Sequence, residues 1–322
     1  MRDTEDPDFF IQRKGIFFPP PLKRNDKIAI LSPASAVKEE YVLGAMARIA
    51  ERGYEPILMP HAIGHDDGSF SATRGNRLSD LFNALEDPDI KAILCARGGY
   101  GCVQILVNFS YGLISKNPKW IIGFSDVSAL LAMWYRSDIA SIHGPMAKHL
   151  ATEDPDDLCT QAFFNILERG GKFDYYIPSS PLNLNGEAKG VLRGGTFAVL
   201  NGLADTPYDV LNVRGEEDVI LFFEDISEAI YAVERMLYRL FYNGTINRVK
   251  GLIFGKFTEY RPDRNFRTME EMISAFLSLR LYTRIPVVFD FPVGHVKENF
   301  PLTVGAEVSL EVTPEGVSLR TV

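Results

Sequence analysis

The chain has 322 residues, of which 46% are hydrophobic and 24% are charged. This is enough apolar material for one large domain or two ordinary ones, and we expect two. The formal net charge is −8 at pH 7, and no Lys/Arg-rich run reverses it locally. Because such a surface repels a phosphate backbone, we expect no nucleic-acid partner.

The cysteine content and the N-terminus indicate the compartment. The three cysteines leave an odd thiol and have no CxxC spacing, which is typical of a reducing compartment and argues against a zinc site. The start "MRDTEDPDFFIQRK" is acidic and does not read as a secretory signal. No segment approaches the roughly 18 to 20 apolar residues that span a bilayer. We therefore predict a cytoplasmic protein that is not bound to a membrane.

The first half alternates short apolar runs with amphipathic segments. "KIAILSPAS", "EPILMP", "IKAILCARGGYG" and "WIIG" read as strands, and "KEEYVLGAMARIAERGY", "RGNRLSDLFNALEDPD" and "SDVSALLAMWY" as helices. Continuously apolar strands separated by helices predict an α/β fold with a parallel sheet covered on both faces. Ligands bind beyond the carboxyl ends of such strands, at Ser32 to Ser35, Arg97 to Gly101, and Ser125.

The second half has a different pattern. Gly, Pro, Ser and Asn accumulate in "ERGGKFDYYIPSSPLNLNGEAKG", so we predict domains at 1–170 and 186–322, joined by a linker at 171–185. "DVILFFED", "VKGLIFGKF" and "PVVFDF" read as strands, "SEAIYAVERMLYRLFYNG" as a helix and "AEVSLEVTPEGVSLRTV" as a closing hairpin. The second domain is therefore predicted to be strand-rich and mixed α+β.

Ser125 lies where a strand passes into a helix, in "WIIGFSDVSALL". A hydroxyl there meets unpaired N–H groups and the positive end of the helix dipole, which stabilise the charge that develops in acyl transfer. Gly123 permits the sharp turn of a nucleophile elbow. The pattern is GxSxS rather than GxSxG, and a serine is also a good helix cap, so the sequence leaves both interpretations open.

Two residues could activate such a serine. Glu224 closes an apolar strand, where an unpaired carboxylate is costly, although it could instead cap the next helix. His295 is one of five histidines and follows a glycine in a loop, where it could be a general base or an ordinary loop residue. The order Ser, Glu, His occurs in nucleophile-elbow hydrolases.

The motifs together resemble the LD-carboxypeptidase family of serine peptidases, which includes the microcin C immunity-type hydrolases. They run from about Ile28 to Leu310 and comprise "SPAS", "ARGGYG", "IIGFSDVSALL", "HGPM", "LRGGTFAVLNGL", "FFEDISEAIYAVERML" and "PVGHVKENFPLTVGAEVSL". The resemblance implies a glutamine-amidotransferase-like (flavodoxin-like) first domain. It also implies an active site between the two domains, and often a homodimer.

The same resemblance assigns site residues. It implies a triad of Ser125 as nucleophile, His295 as general base and Glu224 as the group that orients the imidazole, with no metal or organic cofactor. The backbone N–H groups of Asp126 and Gly99 would form the oxyanion hole. Family members commonly carry GGN where this chain has Gly194-Gly195-Thr196, which leaves substrate detail open.

The candidate residues and the resemblance are compatible with three functions. The first is an L,D-carboxypeptidase that removes the terminal D-alanine from muropeptide tetrapeptides, with Arg97 or Arg193 binding the terminal carboxylate and Gly98 and Tyr100 lining the site. The second keeps the triad but hydrolyses a peptide–nucleotide conjugate, for which an aromatic residue of "FDYYIP" or "FTEYRP" would stack on the base. The third is a binding protein without catalysis.

Overall fold

A computed structural model describes residues 15–64, 69–107, 111–213, 215 and 217–322. The first half consists of strands β1 to β5 and helices α1 to α7. In chain order these are β1 (Lys27–Leu31), α1 (Glu39–Arg52), β2 (Glu55–Leu58), α2 (Arg74–Glu86), β3 (Ile90–Cys95), α3 (Cys102–Leu106), α4 (Tyr111–Lys116), β4 (Trp120–Gly123), α5 (Ser128–Arg136), β5 (Ser141–His143), α6 (Ala147–Thr152) and α7 (Leu158–Glu168).

The second half consists of the remaining strands and helices. In chain order these are β6 (Asp174–Pro178), β7 (Gly186–Thr196), α8 (Phe197–Asn201), β8 (Val219–Ile226), α9 (Ile230–Tyr242), β9 (Gly251–Thr258), α10 (Met269–Arg280), β10 (Val287–Val288), β11 (Leu302–Val304), β12 (Glu307–Val312) and β13 (Gly316–Thr321). No helix in the described ranges combines the length and the apolar character that crossing a membrane requires.

The first sheet has the strand order β11-β5-β4-β3-β1-β2. Strands β1 to β5 are parallel, which confirms the parallel sheet predicted from the apolar runs. Their order, 2-1-3-4-5, is the doubly wound order of flavodoxin-like proteins, in which ligands bind beyond the carboxyl ends of the strands. β4, which leads to Ser125, is completely buried at the centre of this sheet.

The second sheet has the strand order β10-β9-β8-β7-β12-β13-β6 and is mixed. Strands β7 to β10 are parallel, whereas β12 and β13 form the predicted antiparallel hairpin beside β7. β8 is buried along almost its whole length, so Glu224 near its carboxyl end is surrounded by protein. The predicted mixed, strand-rich second half is therefore present.

Two segments do not follow the predicted division of the chain. Residues 171–185, predicted as a linker, include β6, which pairs with β13 at the edge of the second sheet. β11 comes from the second half but joins the first sheet, antiparallel to β5. The C-terminal half thus supplies all seven strands of the second sheet and one strand of the first, and the domain bounds at 170 and 186 stay a prediction.

Candidate active site

Ser125 has a strained backbone at the end of β4. Its φ is +62°, in the left-handed region, where a residue with a side chain costs roughly 1–2 kcal/mol. A Cβ on Gly123 would lie 2.8 Å from Val127 Cγ1, so the chain can fold back this tightly only with glycine there. The strain and the close approach are features of a nucleophile elbow.

The helix-cap interpretation of Ser125 is wrong. A 3₁₀ turn covers Ser125–Val127 and α5 begins at Ser128; the two N-cap residues are Phe124 and Val127, and neither makes a capping hydrogen bond through its side chain. Within the described part of the chain, no hydrogen bond engages the Ser125 hydroxyl. The side chain is half-buried and available for chemistry.

Glu224 is fully buried and hydrogen-bonded through both carboxylate oxygens. Oε2 lies 2.7 Å from His295 Nδ1, and Oε1 accepts the hydroxyl of Thr196. Burial alone would raise the pKa of Glu224, but the hydrogen bond and charge of His295, with smaller contributions from His143 and Thr196, hold it below its usual value. Glu224 is therefore an ionised partner for the imidazole and does not cap a helix.

The imidazole of His295 lies between Glu224 and the residue that precedes the serine. Its ring packs edge-on against Phe124, with centroids 4.8 Å apart, and its side chain is 14% exposed. The loop that carries it is held by Gly294 N–H, which donates to Asn299 Oδ1 at 2.9 Å. The structure thus brings Glu224 and His295 together beside the serine turn, although no hydrogen bond joins Ser125 to His295 among the described residues.

The glycine loop that follows β3 packs directly on the serine. A Cβ on Gly98 would lie 2.7 Å from Ser125 Cβ and 3.0 Å from the backbone nitrogen of Asp126. The next residue, Gly99, has φ +98°, and its N–H donates to no group in the described part of the chain. Backbone N–H groups such as those of Gly99 and Asp126 are the donors that an oxyanion hole requires, and this role for the two residues stays a prediction.

Ser35, in the loop after β1, holds this glycine loop in place. Its N–H donates to Gly98 O at 3.1 Å, and its hydroxyl accepts the N–H of Tyr100 at 3.2 Å. A Cβ on Gly99 would lie 2.3 Å from Ser35 Oγ, so this packing is possible only with glycine. The loops after β1, β3 and β4, where ligand binding is predicted, therefore meet at one edge of the sheet.

Two buried charged residues, which the sequence analysis missed in this role, fix the same loop. The Asp126 carboxylate accepts the N–H of Cys102 at 2.7 Å, at the start of α3. Arg77, which is 2% exposed, donates through Nη1 to Pro33 O at 2.7 Å and Gly101 O at 3.0 Å. Together they tie the serine turn to the glycine loop and to the loop after β1.

The candidate substrate contacts divide into two groups. Arg97 and Tyr100 are exposed beside Gly98; Nη1 of Arg97 donates to Ala36 O at 2.5 Å, and Tyr100 is 54% exposed. Arg193 is buried instead, in an ion pair with Glu217. Its guanidinium lies 4.8 Å from the ring centroid of Tyr135. This placement speaks against a substrate contact for Arg193, because its charge is already neutralised inside the protein.

His143, in the "HGPM" motif, lies beside the Glu224–His295 pair but takes no part in it. The ring is fully buried, packs edge-on against Phe222 and finds no hydrogen-bond partner for either nitrogen among the described residues. Burial lowers the pKa of His143 to about 4, so the ring is neutral near pH 7. In the described ranges, no group of three or more His, Cys, Asp or Glu side chains could hold a metal ion.

A serine on a strained strand-to-helix turn that packs on a glycine loop, with a carboxylate–imidazole pair next to the turn, is typical of a serine hydrolase. The sequence profile of the LD-carboxypeptidase N-terminal domain matches residues 28–144, and that of the LD-carboxypeptidase C-terminal domain matches residues 189–310. The chain belongs to the LD-carboxypeptidase family of serine peptidases.

Individual relatives match along nearly their full length. A putative carboxypeptidase of Synechocystis is 33% identical over 92% of this chain and 95% of its own length. The murein tetrapeptide carboxypeptidase of Pseudomonas aeruginosa is 28% identical over 88% of this chain and 93% of its own length. The crystal structure of muramoyltetrapeptide carboxypeptidase from Oxalobacter formigenes superimposes with a TM-score of 0.81 at 27% identity, covering 92% of this chain and 98% of that one.

Proposed function

We propose that this protein is an L,D-carboxypeptidase that releases the terminal D-alanine from muropeptide tetrapeptides through a Ser125, Glu224, His295 triad. One observation carries the proposal. Ser125 has a strained backbone, and the residue before it, Phe124, packs on the imidazole of His295, whose Nδ1 is bonded to a buried carboxylate. The binding-protein alternative gives no reason for the strain at Ser125.

The reaction follows from these positions. His295 Nε2 takes the proton of Ser125 as its oxygen attacks the carbonyl between the diamino acid and D-alanine. The N–H groups of Gly99 and Asp126 stabilise the tetrahedral oxyanion. Collapse breaks the C–N bond, and the leaving amine of D-alanine takes the proton from His295. Water, deprotonated by the same imidazole, then releases the acyl group and restores Ser125.

Two of the relatives are named for murein or muramoyl tetrapeptide substrates, which supports the same substrate class here. The leaving residue of such a peptide carries a free carboxylate, so a cation is needed near Ser125. Arg97 is next to Gly98 and exposed, and we assign it this contact. Tyr100, on the same loop, would line the site.

The alternative, hydrolysis of a peptide–nucleotide conjugate, is not favoured. Of the aromatic residues proposed to stack on a base, only Tyr176 is largely exposed, at 69%. Tyr176 lies on β6, four strands from the strand of Glu224, which is ~19 Å at about 4.8 Å per strand. The others, Phe173, Tyr175, Phe257 and Tyr260, are buried or half-buried.

The test is a parallel assay on two substrates. The purified protein is incubated with a muropeptide tetrapeptide, with release of D-alanine as the readout, and separately with a nucleotide-linked peptide. We expect turnover of the tetrapeptide and none in Ser125→Ala, which should retain the fold. A Ser125→Ala variant with full activity would refute the nucleophile, and hydrolysis of only the nucleotide conjugate would refute the substrate class.

Several broader features belong to the same proposal. The strand order of the first sheet supports the glutamine-amidotransferase-like assignment of residues 1–170. Residues 186–322 would then carry Glu224 and His295, with 171–185 between them. We also propose a cytoplasmic homodimer, which light scattering and cell fractionation would test.

A further inference from the structure

Thr196 provides the second hydrogen bond to Glu224. It ends β7 and pairs in register with Glu224 on the neighbouring strand β8. Its hydroxyl donates to Oε1, while Oε2 faces His295 Nδ1. Because each oxygen has its own partner, the carboxylate plane is fixed relative to the imidazole.

The directions of these hydrogen bonds follow from the chemistry of the groups. An ionised carboxylate only accepts, so the single hydroxyl proton of Thr196 points to Glu224. Thr196 Oγ1 then accepts the hydroxyl proton of Ser128 at 3.3 Å, and Ser128 Oγ accepts the backbone N–H of Thr196 at 3.1 Å. Ser128 is fully buried, so water does not compete for these contacts.

Gly195 makes this contact possible. A Cβ at Gly195 would lie 2.7 Å from Ser128 Oγ, and its φ of +144° is unfavourable for other residues. Ser128 is the first residue of α5, three positions after Ser125. A continuous series of hydrogen bonds, here called the Ser128–His295 chain, therefore joins the helix after the nucleophile to the imidazole, through Thr196 and Glu224.

We propose that Thr196 is a positioning residue for Glu224, and that Ser128 sets the direction of the Thr196 hydroxyl. This inference rests on the proposed function, because it assigns Glu224 the task of orienting His295. Loss of its donor destabilises a buried carboxylate oxygen, and the carboxylate can then rotate away from the imidazole. The Ser128–His295 chain thus keeps Glu224 both ionised and aligned.

The experiment compares Thr196→Val, which removes the hydroxyl at nearly constant shape, with Thr196→Ser, which keeps it. Thr245→Val is the matched control, because Thr245 is also fully buried and hydrogen-bonded, to Leu211 O at 3.1 Å. We expect kcat on the tetrapeptide to fall about 10- to 100-fold in Thr196→Val with KM little changed, the loss typical of a hydrogen bond to a charged group. Thr196→Ser should restore most of the activity, and Thr245→Val should retain it.

The pH profile separates positioning from a loss of stability. Titratable groups that face Glu224 are His295 and His143, with Asp225 next along β8. Removing a donor from the ionised carboxylate raises the pKa of Glu224, so the acid limb of kcat/KM should move to higher pH in Thr196→Val but not in Thr196→Ser or Thr245→Val. If Thr196→Val does not fold, Ser128→Ala, which leaves Thr196 in place, should produce the same shift with a smaller loss of kcat.

A readout that needs no turnover distinguishes failure of this inference from failure of the proposed function. The proton on His295 Nδ1 is followed by NMR, with His295→Gln used for assignment, and should move upfield in Thr196→Val because its hydrogen bond to Glu224 weakens when the carboxylate rotates. If the resonance moves but the wild type does not hydrolyse the tetrapeptide, the positioning role stands and the function fails. If the wild type is active and Thr196→Val matches Thr245→Val in every readout, the positioning role is overturned.

Discussion

His295 Nδ1 lies 2.7 Å from Glu224 Oε2, although 71 positions separate the two residues in the chain. An imidazole that donates from Nδ1 to a carboxylate keeps Nε2 as its proton acceptor. The pairing therefore fixes the tautomer that a general base for Ser125 requires.

Glu224→Gln should reduce kcat strongly while leaving KM nearly unchanged. Glutamine has nearly the same shape, but its amide can present a donor to Nδ1 and so favour the wrong imidazole tautomer, which typically costs about 10⁴ in kcat. Steady-state kinetics on the tetrapeptide provide the measurement. Glu168→Gln is the control, since Glu168, at the end of α7, is a half-buried acid that pairs with Arg52 of α1. A Glu224→Gln variant with wild-type kcat would remove Glu224 from the triad.

The stability contributed by Glu224 should depend on pH in a defined direction. The folded state holds the pKa of Glu224 below its ordinary value, which is about 4.3 in the unfolded chain. The contribution is therefore complete above about pH 5 and is lost as the pH falls through the lowered folded-state value. We expect the difference in unfolding free energy between wild type and Glu224→Gln to shrink with decreasing pH in denaturant titrations. A difference that stays constant from pH 7 to pH 3 would contradict this.

The sequence predicted the parallel sheet well because each strand is a local apolar run bounded by turn residues. β11 could not be found in this way. Leu302–Val304 has only three residues and lies close in sequence to β12, so nothing local indicates that it pairs with β5 in the other sheet. α10 was not predicted, although the sequence carries a signal for its start. Thr268 and Glu271 have the spacing of a capping box, and they form one in the structure.

The site was predictable only where a local sequence pattern marks the residue. The unusual position of Glu224 on an apolar strand and the elbow at Ser125 are visible in the sequence, whereas their pairing with His295 came from the family resemblance. The role of Thr196 depends on the register of β7 against β8, which brings Thr196 opposite Glu224. The ion pair of Arg193 with Glu217 was equally hidden, because no local pattern connects the two residues.

Gly98→Ala should reduce activity without unfolding the protein. The added Cβ would meet Ser125 Cβ at 2.7 Å and the Asp126 nitrogen at 3.0 Å, so the hydroxyl and an oxyanion donor must move apart. Loss of one oxyanion donor typically lowers kcat about 100- to 1,000-fold. Gly75→Ala is the control, because nothing lies within 4 Å of a Cβ there. Equal activity of both variants would show that Gly98 does not shape the oxyanion hole.

Ser125→Gly should be more stable than Ser125→Ala, although both should be inactive. At φ +62°, alanine keeps the left-handed strain and glycine relieves it, which predicts a difference of about 1 kcal/mol in unfolding free energy. Ser278, on the regular helix α10, is the control position. There Ser278→Gly should have a lower unfolding free energy than Ser278→Ala, by ~1 kcal/mol. If alanine were more stable than glycine at position 125 as well as at position 278, the strain at Ser125 would be refuted.

Arg97→Ala should raise KM for the tetrapeptide while kcat changes little. Arg97 is exposed beside Gly98, and a guanidinium binds the terminal carboxylate equally in the ground state and in the transition state. Loss of such a charge-assisted contact, worth about 1.5–3 kcal/mol, corresponds to an increase of roughly 10- to 100-fold in KM.

Lys91→Ala is the matched control, because this exposed cation lies at the opposite end of β3 and donates to Pro88 O at 2.6 Å. Because a peptide amidated at its C-terminus lacks the carboxylate, its KM should be the same for wild type and Arg97→Ala. An unchanged KM for the free acid in Arg97→Ala would assign the carboxylate to another group.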